Sequence, residues 1–130
     1  MTRHKGFTVI EVLVVLAFLL GGAVLFVTQK AAIDAAGRDN DRKVAINAMY
    51  YSLEEVYYRQ NQSYPESISS KVLRSVDPAL FTDPDGFTMG DPGSSYHYEA
   101  SGCDLKGHCK SYRLYADMQK EASYVKTSRH

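Results

Sequence analysis

Phe7-Thr-Val-Ile-Glu11-Val-Leu-Val-Val-Leu16-Ala-Phe-Leu-Leu-Gly21-Gly22-Ala-Val-Leu-Phe-Val27 is the stretch on which the fold turns. Its 21 residues carry one ionisable side chain, Glu11. As a helix rising ~1.5 Å per residue it would be roughly 31 Å long, about the hydrocarbon thickness of a bilayer. The whole chain has 130 residues, 45% of them hydrophobic, with 15 basic and 15 acidic side chains. Those averages suit one soluble domain, but the uneven placement of the apolar residues excludes a purely soluble one. The charge balance argues against nucleic acid as a dedicated partner, because that affinity rests on surplus cations.

Upstream of the run stand Arg3 and Lys5 with no acid, a flank that holds this end on the cytoplasmic side. A secretory signal peptide has a shorter apolar region, ~7–15 residues, followed by a small-residue cleavage site. Here the small residues Gly21 and Gly22 lie inside the run instead. Glu11 is the anomaly. A carboxylate within a membrane helix costs on the order of 3 kcal/mol and normally has a functional partner. A cut after Gly6 would supply one, a free amine on Phe7.

The residues Lys5-Gly6-Phe7-Thr8-Val9-Ile10-Glu11, with the apolar helix that follows, resemble the class III signal sequence of type IV pilins and type II secretion pseudopilins. The match combines a cleavage glycine, an aromatic start, one acid at fixed spacing and a spanning length. The resemblance implies removal of leader 1–6 by a prepilin peptidase that also methylates Phe7. It implies pairing of Glu11 with the Phe7 amine of a neighbouring subunit, assembly by a platform protein and, indirectly, an ATPase, and no cofactor. It also implies a cytoplasmic-membrane precursor with its C-terminal part outside, and an extracellular pilus after assembly. One departure is the lack of any proline before Pro65, which leaves Gly21 and Gly22 as the weak point of the helix.

Beyond Val27 the helix is expected to continue in water to about Asn61. Ile46, Met49, Tyr50, Leu53 and Tyr57 share one apolar face. Asp34–Arg38, Asp39–Lys43 and Glu55–Arg59 stand as opposite charges at i, i+4. The cluster Arg38–Lys43 is expected as a solvated face, or as ion pairs between subunits. Asn61-Gln-Ser-Tyr-Pro65 stops the helix. Glu66 to Phe81 suggests a short helix or turns, and 82–93 an irregular loop. Alternating stretches Ser95–Glu99, Ser111–Asp117 and Ser123–Thr127 predict three antiparallel strands. The fold class is thus α+β, the pilin arrangement of one long helix packed on a small sheet. Its parts are leader 1–6, membrane or filament-core half 7–27, soluble helix half 28–61, and loop-rich region plus sheet 62–130.

Cys103 and Cys109 are the only cysteines, and beyond a membrane anchor they are expected to form a disulfide worth roughly 2 kcal/mol. Zinc with His97 or His108 is the rival, but it lacks C-x-x-C spacing. Asp83, Asp85 and Asp91 offer hard oxygens that suit calcium, and equally serve as turn residues. Some pseudopilins hold calcium in a comparable loop. Lys106, His108, Lys110, Arg113, Lys126 and Arg129 form a modest cationic patch. Losing Arg3 and Lys5 would tip the balance toward acid, however, which speaks against DNA as a ligand of this subunit. No nucleophile–base pair or phosphate loop suggests an enzyme. The expected function is a structural pilin. The alternatives are a secretion pseudopilin, or a minor pilin that binds DNA or a surface ligand.

Overall fold

The computed structural model of the chain describes residues 6–130. Residues 1–5, most of the leader expected from the sequence, therefore lie outside the described part. Two compact units divide the chain, Met1–Ala35 and Ala36–His130. Helix α1 spans Val9–Tyr51 and is followed without a break by a π-helical turn, Ser52–Tyr57, and by α2, Tyr58–Asn61. The long helix expected from the sequence is present, and it ends at the expected residue. Gln62 adopts a left-handed conformation (φ 53°), and its N–H donates to the Tyr58 carbonyl at 2.8 Å. Gly21 and Gly22 are both helical, with open space where a Cβ would stand.

In the second unit, Ala45, Ile46, Met49 and Leu53 are buried on one helix face, as their spacing requires. Tyr50 and Tyr57 flank them, half-buried. Strands β2 (Tyr96–Ser101), β4 (Ser111–Ala116) and β5 (Tyr124–Thr127) form an antiparallel sheet in the order β2-β4-β5. Along β4, Tyr112, Leu114 and Ala116 alternate inward and join the helix in one core. Each fully buried side chain of leucine size contributes about 1.5–3 kcal/mol. Between helix and sheet, the chain runs through turns and a 3-10 helix, Pro78–Phe81, placing Ile68, Leu73, Val76 and Phe81 in the same core. A second, two-residue pairing joins β1 (Tyr64–Pro65) to β3 (His108–Cys109). Two residues carry no readable alternation, so this pairing has no signature in the sequence.

Cys103 and Cys109 are joined as a disulfide. The closed loop turns back on itself through Gly107 at φ 78° and the Asp104 carboxylate, which accepts the N–H groups of Lys106 and His108.

The charged cluster requires correction. Asp39 and Arg42 are buried, not solvated. Asp39 pairs with Arg42 at 3.0 Å rather than with Lys43, which reaches Glu121. Arg38 bonds the Gln119 side chain and makes no ion pair with Asp34. Of the three anticipated pairs, Glu55–Arg59 forms, at 2.5 Å. Helical spacing brings such side chains within reach, but partners from loop 82–93 and the turn after β4 compete for them.

Candidate functional site

The first helical turn is organised by Thr8. Its hydroxyl accepts the Glu11 N–H at 3.3 Å, and its carbonyl accepts the Val12 N–H at 3.2 Å. Thr8 and Glu11 thus hold the Ncap and N3 places of a capping-box spacing. An acid here gains typically about 0.3–1 kcal/mol from the helix dipole. Were this turn inside a membrane, that gain would offset only part of the roughly 3 kcal/mol a carboxylate costs there. Glu11 shares a shallow recess with Phe7, Val12, Val15 and Leu16, so a cation meeting it there would sit among apolar side chains.

From Phe7 to Val27 every side chain is exposed, Phe7 by 79% and Phe26 by 70%. The helix is long and apolar enough to cross a membrane, and its most apolar window has no buried residue. Surface of this kind needs lipid or other helices around it.

The second unit is fastened to its helix by two buried polar knots. In the first, Arg42 donates to Asp39, to Asp85 at 2.5 Å and to the Ser95 hydroxyl at 3.1 Å, while Asp39 accepts the backbone N–H groups of Gln119 and Lys120 at 2.8 and 2.9 Å. Burial opposes ionisation of Asp39, but those two N–H donors and Arg42 outweigh it and hold its pKa below the ordinary carboxylate value. Asp83 behaves likewise: burial is overcome by donors from Ser95, Phe87 and Asp85.

The three acids considered for calcium therefore do other work. Asp83 ties its loop to β2, Asp85 pairs with Arg42, and Asp91 accepts the Thr88 N–H. Among the described residues no cluster of three or more His, Cys, Asp or Glu is arranged to hold a metal.

In the second knot, buried Glu54 accepts the hydroxyls of Tyr112 at 2.8 Å and Tyr64 at 3.1 Å, and the Arg129 N–H at 3.3 Å. Burial, then the Glu54 charge, pushes the Tyr64 hydroxyl up to about 12 and raises Tyr112 as well. A raised tyrosine stabilises the fold below pH 10, where folded and unfolded chains are both protonated, and the benefit is lost as pH climbs toward the folded value. Stability should thus fall between about pH 10 and 12, by roughly 2–3 kcal/mol from Tyr64 alone. Near-UV melts of detergent-solubilised protein across pH 9–12 test this, and a constant midpoint would contradict it.

Glu54 and Arg42 escaped sequence reasoning. Arg42 sits at i+3 from Asp39 within a run of charges, where solvation is the natural reading. Glu54 is buried beside Ser52 and Leu53, three residues in a row that α-helical periodicity does not bury together. The wider π turn does so. Of the cationic patch, Arg129 pairs with Glu55, Arg113 with Glu99 and His108 with Asp104, and Lys126 lies over the Tyr50 and Tyr124 rings.

Comparison with family models, curated proteins and solved structures yields no match for this chain.

Proposed function

We propose that this chain is a type IV pilin, a structural subunit that leaves the membrane to join an extracellular filament held together by its N-terminal helices. The supporting observation is the Phe7–Val27 surface: wholly uncovered, apolar, interrupted by one acid in the first helical turn, and carried on a helix whose later part belongs to a folded unit. Lipid would cover that surface before assembly, and the same segment of other copies afterwards. Glu11 would pair with the Phe7 amine of a neighbour, freed by cleavage after Gly6. A buried charge is tolerable when paired, and pairing at one position per subunit fixes the axial register. The partners are then other copies of the chain, a prepilin peptidase that also methylates Phe7, and a membrane platform driven by an ATPase.

Mass spectrometry of purified surface filaments tests the reading. The chain should be the bulk component and should begin at Phe7, one methyl heavier where modified. Filament-borne protein that retains Met1, or that begins beyond Val27, would refute it. Presence only in a short envelope-bound assembly would favour the secretion pseudopilin instead.

A further inference from the structure

The second unit carries two uncovered surfaces that match each other and lie apart on one molecule. Asp41, Val44 and Tyr51 are exposed along α1, at spacings of three and seven that place them on one face beside the core-facing stripe. Val44 is 51% exposed and Tyr51 54%. Asp41 has no ion-pair partner among the described residues. Between the π turn and segment 71–75 lies an open recess of about 640 Å³. Val56 and Val72 on its walls are exposed by 38% and 37%. Lys71 and Arg74 beside them are exposed cations with no carboxylate partner among the described residues. Arg74 reaches only the Lys71 carbonyl, at 3.4 Å. The serines of the recess, Ser52 and Ser75, satisfy each other at 2.6 Å and ask for no ligand.

An acid beside valine faces two bases beside valines, so the chemistry of stripe and recess is complementary. Val44 and Val56 are twelve residues apart on one helix, about 18 Å at the usual rise, so the two surfaces cannot meet within a molecule. They can meet only between copies. Since the patches differ, the contact is head to tail, and unless its rotation closes a ring it propagates as an open helix. We infer that the recess lined by Val56, Lys71, Val72 and Arg74 of one copy receives the Asp41–Tyr51 stripe of the next. The inference rests on the filament reading above and names a contact which that reading leaves open. Exposed ion pairs are individually weak, so this contact sets register and partner choice more than it supplies cohesion.

The test uses the full chain in cells that assemble it. With the photoreactive residue p-benzoylphenylalanine at position 44, irradiated filaments should yield a dimer cross-linked to the segment around residues 71–76. Arg74→Glu should lower filament yield severalfold, and Asp41→Lys in the same chain should restore it. Near-UV spectra of the variants should match wild type, because all the altered side chains are exposed. Cross-links to another part of the chain or to a different protein, or filaments unaffected by Arg74→Glu, overturn the contact while leaving the filament reading intact. Wild-type chain that forms no filaments overturns both.

Discussion

Arg42→Met should cost the second unit about 3 kcal/mol, the lower end of what breaking a buried ion pair removes. Methionine keeps the apolar stem as far as the ε position and lacks the guanidinium, so the change falls mainly on the polar end of this buried side chain. Lost are the donors to Asp39, Asp85 and Ser95. Asp85 is half-exposed and can turn to water, but Asp39 remains buried with two backbone donors and no cation. The effect is large against a total of ~5–15 kcal/mol for a domain. Near-UV thermal melts report it cleanly, since all ten tyrosines lie at or beyond residue 50. Adding Asp39→Asn should recover part of the loss by removing the orphaned charge. A single variant within 1 kcal/mol of wild type would show that the knot contributes little.

Glu11→Gln should abolish efficient assembly without harming the monomer. Removing the charge eases membrane insertion by up to ~3 kcal/mol, so the processed protein should accumulate. In the filament the Phe7 amine would then be buried without a partner, a penalty of several kcal/mol per subunit. With no wild-type subunit present, the variant is expected in the membrane fraction, beginning at Phe7, with filaments scarce. Thr8 still caps the helix in this variant, so a folding defect would not explain the outcome. Normal filament yield would mean that Glu11 is a tolerated interfacial charge.

The elements that the sequence discloses are those whose physics is periodic. The helix to Asn61, the inward faces of Ile46, Met49 and Leu53, and three strands within two residues of their observed bounds all follow from spacing. What stays hidden depends on partners distant in the chain. Asp39 looks like one half of an i, i+4 pair until the Gln119 and Lys120 amides arrive from eighty residues away. Glu54 looks like a surface acid until the π turn aims it at Tyr64 and Tyr112. Asp83 and Asp85 look like ligands because turn chemistry and cation chemistry use the same oxygens. At the candidate site the legible part is the covalent pattern Gly6-Phe7 and Glu11, and the capping role of Thr8 becomes visible only with the backbone in place.

Among the described residues, every buried one lies at or beyond Asp39. None of the second unit's buried residues lies in the apolar segment Phe7–Val27. On the filament reading proposed above, a transfer of Phe7–Val27 from one solvent to another, fluid acyl chains to packed side chains, would therefore proceed without drawing on the free energy that keeps the sheet folded. Extraction and folding would then be separable: the domain could be complete before its anchor moves, and the anchor could move without unmaking the domain.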